Sequence, residues 1–170
     1  MSRAFVSESD TDAAADMLPE LPQSTHPNYV TGRGLRLLEE RLAAAQQQQR
    51  RLAARPDDPA KDLEAARTAR EIRYLEARIE RAIPVDPAQA PADEVAFGAV
   101  VRVVDAAGER QEFAIVGEDE ADAEHGKVSW VSPLARALIG SGVGDVVLWR
   151  RPAGEVELEI LAIRYPERAS

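Results

Sequence analysis

The sequence contains no cysteine. No disulfide framework can hold it and no thiolate can act as a nucleophile, a composition that suits a reducing cytoplasm. No apolar run approaches the ~18 residues that a membrane-spanning helix needs, so no membrane partner is expected. The opening Met1-Ser2-Arg3-Ala4-Phe5-Val6-Ser7-Glu8 lacks the long apolar stretch of a secretory leader. Histidine is nearly absent, and His26 and His125 stand alone without ligand spacing, so neither builds a metal centre. Positive charge is scarce overall, with a net charge of -9, but the shortage is local. Residues 1–29 carry one base against five acids and residues 85–170 eight against sixteen, whereas residues 30–84 carry twelve bases against nine acids.

That basic middle segment has a regular pattern. Leu35, Leu38, Leu42, Ala45, Gln49 and Leu52 recur at intervals of three and four, and Ala65, Thr68, Ile72, Leu75, Ile79 and Ala82 repeat them. This is the narrow seam of a coiled coil, here an antiparallel helical hairpin over 30–84. Thr31 is a suitable N-cap for its first helix. Pro56 and Pro59 bracket the reversal, because neither continues a helix interior. Each helix of about 20–25 residues is roughly 30–35 Å long. Toward the tip the seam holds Ala45, Gln49, Ala65 and Thr68, which bury little. At the tip, within 56–62, stand Asp57, Asp58 and Asp62.

The flanks differ. Residues 1–29 are rich in Ser, Asp, Ala and Pro and read as an acidic disordered tail. The stretch from Pro84 through Glu94 holds three prolines without periodicity, and residues 85–94 read as a linker. From 95 to 170 the pattern becomes alternation. Strands are expected over Val95–Val104, Glu112–Gly117, Lys127–Val131 and Val146–Arg151, with a last one after Pro152-Ala153-Gly154 where Val156, Leu158 and Ile160 alternate with glutamates. Ser132 as N-cap and Pro133 at the first position open one short helix, which Gly140 stops. The fold class is α+β: an α-helical hairpin plus a small antiparallel sheet domain with one short helix.

Several strings of this second domain resemble one family. They are Phe97-Gly98-Ala99-Val100-Val101, Ile115-Val116-Gly117-Glu118-Asp119-Glu120-Ala121-Asp122, Ser132-Pro133-Leu134-Ala135-Arg136-Ala137-Leu138-Ile139-Gly140, Val143-Gly144-Asp145 and Pro152-Ala153-Gly154. Their order and gaps resemble the C-terminal domain of the GreA/GreB transcript cleavage factors. Thr31-Gly32-Arg33-Gly34-Leu35 with its leucine seam looks like the start of that family's coiled coil.

The resemblance implies a bacterial regulator that binds RNA polymerase as a monomer in the cytoplasm and has no active site of its own. It implies an FKBP-like compact domain docked on the rim of the polymerase secondary channel, with Asp119, Glu120, Asp122, Ser132 and Pro133 at the contact. It implies an arm entering that channel, where tip carboxylates, here Asp58 and Asp57, help hold Mg²⁺ in the polymerase's own active centre. Hard oxygen ligands suit that ion, which activates the water that cuts backtracked RNA. Arg67, Arg70 and Arg73 would then face the nascent RNA 3′ end.

At the tip the chain departs from the family pattern. The family's usual tip pairs an Asp with a Glu three residues on; here Asp58 keeps the first place and Lys61 takes the second, leaving Asp57 or Asp62 to substitute. The first helix is also about one heptad short, or roughly 10 Å of reach. Two readings of the three aspartates therefore stand: metal ligands, or turn and N-cap residues of the second helix. The arginines are equally a solvated helix face. Three functions follow: a regulator assisting RNA cleavage, a channel occupant that competes with or inhibits other factors, and a prolyl isomerase implied only by the FKBP-like fold. The last needs an aromatic-lined pocket, and Phe97, Phe113, Trp130, Trp149 and Tyr165 are few and largely claimed by the core.

Overall fold

The computed structural model describes residues 18–166. Among them, residues 18–27 with Arg36–Ala82 form one compact unit, and Asn28–Leu35 with the residues from Ile83 onward form another.

The first unit is the hairpin. Helix α1 spans Gly32–Ala53 and helix α2 spans Pro59–Glu80, 22 residues each, or about 33 Å. Thr31 caps α1 through its hydroxyl, which accepts from the Gly34 amide at 2.9 Å. Asp58 caps α2, and Pro59 at the first position gives up an amide that would have no intrahelical partner. Two cross-helix contacts set the register: Arg41 to Glu71 at 3.3 Å and Gln48 to Glu64 at 2.7 Å. Seven residues forward on α1 match seven back on α2, so the helices are antiparallel.

The seam differs from expectation at its ends. Leu38, Ala45, Leu52, Thr68, Ile72 and Leu75 are buried, but Ala66 and Arg78 are buried where the strict repeat points to Ala65 and Ile79. Gln49 is exposed and Gln48 faces the partner helix instead. A straight helix of 3.6 residues per turn drifts from a 3.5 repeat by about 20° per heptad, so a strict repeat does not follow the contact line from end to end. The tip end is also less empty than expected, because Leu52 is only 1% exposed.

Residues 1–17 of the expected disordered tail lie outside the described residues. The remainder corrects that reading. Pro19 and Glu20 lie against α2, Leu18 and Leu21 are half-buried, and Asn28–Val30 is strand β1, paired with β2 (Ala82–Pro84). Opposite charge on α2 and burial of Asn28 and Val30 hold what composition alone leaves loose. The expected linker is ordered too: Asp86 caps a 3₁₀ turn at Pro87–Gln89, and Val85 donates to the Val30 carbonyl at 3.1 Å.

The second unit is built on five strands: β3 (Val100–Asp105), β4 (Arg110–Val116), β5 (Lys127–Ser129), β6 (Val146–Arg151) and β7 (Gly154–Arg164), in the order β5-β4-β3-β7-β6. The sheet is mixed, which corrects the expected antiparallel one. β5 pairs parallel to β4, with Ala114 opposite Lys127 and Val116 opposite Ser129. The cause is the connection through residues 117–126, whose two 3₁₀ turns carry the chain back past the end of β4, so that β5 begins beside Ala114. The segment 95–99, expected as strand, is a lead-in; Val95 donates to the Ser141 carbonyl at 2.8 Å and Gly98 to that of Ile115 at 2.9 Å. Helix α3 (Pro133–Leu138) starts at Ser132, whose hydroxyl accepts from the Ala135 amide at 3.3 Å. It buries Leu134, Ala135 and Leu138 against Val101, Val103, Ile115, Leu158 and Ile160.

Candidate functional site

The hairpin tip is a small ionic network. One Asp58 oxygen accepts from the Lys61 amide at 2.8 Å and the other from Arg55 at 3.3 Å. The Lys61 amide, followed by the Arg55 charge, holds the Asp58 carboxyl below the usual carboxylate range. The Lys61 ammonium donates to Asp57 at 2.8 Å and to the Arg55 carbonyl at 2.8 Å, and its side chain is only 11% exposed. Arg55 also reaches Glu64 at 3.3 Å. Asp62 sits in the first turn of α2 and is half-buried. The three aspartates are thus brought to one end of the hairpin, but two of them are already engaged by local cations.

This arrangement does not fit a Mg²⁺ site. Such an ion needs oxygens near 2.1 Å in octahedral array, with lone pairs turned to a common centre. Both Asp58 oxygens point at protein donors, and the Lys61 and Arg55 charges lie where the ion's own charge would be repelled. No group of three or more His, Cys, Asp or Glu side chains among the described residues gathers as metal ligands.

The basic residues follow along α2. Arg67 and Arg73 are exposed and Arg70 is half-buried. Arg73 grips the Glu20 carboxylate, at 2.6 Å from Nη2 and 3.1 Å from Nε, while Arg70 donates to the Pro19 carbonyl at 3.2 Å. The Arg73 hydrogen bond is the main cause of a lowered Glu20 pKa. Sequence reading offered these arginines to RNA; it did not foresee that Pro19 and Glu20 lie on Arg70 and Arg73, since the pairing spans 53 residues.

The second unit carries a groove of about 710 Å³ whose walls include Phe113, Ser132, Pro133, Leu134, Trp149 and Arg151. Phe113 and Trp149 meet edge to face with centroids 6.2 Å apart, and the Arg151 guanidinium lies 5.0 Å over the Trp149 ring. The other aromatics are spent elsewhere: Tyr29 packs against Phe97 and Trp130 at 6.0 and 5.0 Å, and the Tyr165 hydroxyl donates to the Glu94 carbonyl at 2.5 Å. Neither Trp149 nor Arg151 was singled out as a site residue from sequence; an aromatic followed two residues on by an arginine on the same face of an edge strand was the available signal.

The acidic loop divides. Asp122 is exposed and pairs with His125 at 2.6 Å, and its neighbour Ala123 lines the groove. Asp119 is half-buried. Glu120, expected at the docking contact, is buried, accepts the Thr31 hydroxyl and lies 3.7 Å from Arg33. A carboxylate so enclosed holds the start of α1.

Residues 90–165 match the family model described as transcription elongation factor, GreA/GreB, C-term. The transcription elongation factor GreB of Neisseria meningitidis (strain Z2491) is 46% identical over 97 residues, 56% of this chain and 60% of that protein. GreA of Methylobacterium sp. (strain 4-46) is 43% identical over 107 residues, covering 62% of this chain and 67% of its own. The chain thus spans about 60% of the length of the first curated relatives it matches. A crystal structure of Gfh1 from Thermus thermophilus, a GreA factor homolog, matches 82% of this chain and 99% of its own at 26% identity, with a TM-score of 0.40. The chain belongs to the GreA/GreB family of transcription elongation factors.

Proposed function

We propose that this chain is a transcription elongation regulator that acts by binding RNA polymerase. The groove beside α3 docks on the rim of the secondary channel, through Ser132, Pro133 and the aromatic pair Phe113 and Trp149. The hairpin then enters the channel and occupies it, with Arg67, Arg70 and Arg73 facing RNA phosphate. In this reading the chain performs no chemistry of its own. It changes what the polymerase does by filling space and placing charge.

The observation that carries occupancy without metal delivery is Lys61. Its ammonium lies between the Asp57 carboxylate and the Arg55 carbonyl, which makes the tip a closed ion network. A second reading, cleavage stimulation in which Asp58 and Asp57 share Mg²⁺ with the polymerase active centre, has one fact in its favour: the Asp58 carboxyl is held ionised. It requires Lys61 and Arg55 to leave the tip first.

The test has two stages. Purified protein is expected to bind core RNA polymerase at micromolar concentration, and absence of binding would end the proposal. On stalled, backtracked complexes with magnesium, the RNA is expected to keep its length while a competing channel factor is displaced. Shortening of the RNA that Asp58→Ala abolishes without loss of binding would establish the second reading instead.

A further inference from the structure

The first unit pairs two pieces of opposite charge that lie far apart in sequence. Residues 18–27, Leu-Pro-Glu-Leu-Pro-Gln-Ser-Thr-His-Pro, belong to the same compact unit as the hairpin and touch α2 at Pro19 and Glu20. Glu20 meets Arg73 through two carboxylate oxygens, at 2.6 to 3.2 Å, and the Pro19 carbonyl takes a hydrogen bond from Arg70. A guanidinium binds carboxylate and phosphate through the same two-pronged geometry. Glu20 therefore sits on Arg73 as a phosphodiester would.

We infer that residues 18–27 are an intramolecular cover on the basic stripe of α2, with Glu20 standing in for a nucleic-acid phosphate that must displace it. This rests on the reading that Arg67, Arg70 and Arg73 face RNA.

The cover is weak in contact and strong in proximity. Glu20 is 63% exposed and Arg73 46%, so their pair is screened by water and salt. Prolines at 19, 22 and 27 limit the conformations that the segment loses on lying down. The segment continues into β1 and α1, and a tether of that kind gives an effective concentration of order millimolar. A free phosphate below that concentration competes poorly with it. A strand with several phosphates, binding non-specifically at roughly 10⁻⁴ to 10⁻⁶ M, competes well. The segment thus filters by valence: isolated anions leave it in place, and a polyanion laid along Arg67, Arg70 and Arg73 lifts it. Arg67 is exposed and gives such a strand its first foothold.

The experiment compares the full chain with Glu20→Gln, which keeps size and polarity and removes the charge. One arm follows phenylglyoxal modification of Arg70 and Arg73 by peptide mass mapping. The other measures fluorescence anisotropy of a labelled 12-nucleotide oligouridylate at low salt. Glu20→Gln is expected to speed Arg73 modification and tighten oligonucleotide binding, each by about two- to fivefold, the range of a surface ion pair. Adding Arg73→Gln should remove the gain. Unchanged Arg73 reactivity in Glu20→Gln would overturn the cover. Faster modification without tighter binding would overturn competition with RNA, and would locate the failure in the RNA-facing reading of the arginines.

Discussion

The Thr31 hydroxyl donates to the buried carboxylate of Glu120, 89 residues further along the chain, while accepting the Gly34 amide at 2.9 Å. One side chain thus caps α1 and satisfies an enclosed charge. Thr31→Val keeps the shape and removes both roles. It is expected to destabilise the protein by about 1–3 kcal/mol, because the carboxylate is left buried without its donor. Glu120→Gln, which still accepts through its amide oxygen, should cost less. Urea unfolding of the two variants checks the order.

At the tip, the Asp58 carboxyl is held below its ordinary range, first by the Lys61 amide and then by Arg55. A depressed pKa means that the cap contributes fully above the unfolded value and is lost as pH falls through the folded one. The first turn of α2 should therefore fray under acid, below the usual carboxylate range. Asp58→Ala should fray it already at neutral pH. Faster hydrogen exchange of the Lys61 amide would report both.

Lys61→Glu removes the ammonium from Asp57 and puts a carboxylate three residues after Asp58, in the family's spacing. If local ion pairing is what closes the tip to metal, this variant should gain Mg²⁺-dependent shortening of RNA on backtracked complexes where the parent has none. Gel analysis of the 3′-truncated RNA decides it.

The groove predicts a separation of binding from stability. Pro133→Ala and Trp149→Ala should weaken association with core RNA polymerase, whereas Arg110→Ala, an exposed change outside the groove walls, should not. A chromogenic proline-peptide assay should stay at background for all of them. Surface-immobilised polymerase gives the affinities.

Gly117 is required for space. A Cβ there would stand 2.5 Å from the Tyr29 carbonyl oxygen, a backbone atom, although the φ of -70° suits any residue. Gly117→Ala should cost about 1–3 kcal/mol by forcing β1 and the end of β4 apart. A fall in melting temperature without a change in hairpin helicity would match this origin.

What the sequence made legible is what is encoded locally. Thr31, Asp58-Pro59 and Ser132-Pro133 announce helix starts within three residues of the groups they cap. The alternation of Val156, Leu158 and Ile160 with glutamates fixes which face of β7 is buried. Glu120 was not legible, because a run of acids looks solvated until its distant donor is known. Nor was the Glu20–Arg73 pair, or the parallel course of β5. Lys61 was noticed only as a departure from a motif; its actual partners, Asp57 and the Arg55 carbonyl, depend on the shape of the turn.

The cross-helix pairs Arg41–Glu71 and Gln48–Glu64 have a consequence for how such a hairpin can change length. Each step of seven residues on one helix is answered by seven on the other. A deletion in α1 alone would slide every later residue past its partner and turn the buried leucines aside. Only matched deletions or insertions, one heptad in each helix, keep the pairing. The reach of the tip therefore behaves as a ruler with coarse graduations, moving by about 10 Å or not at all.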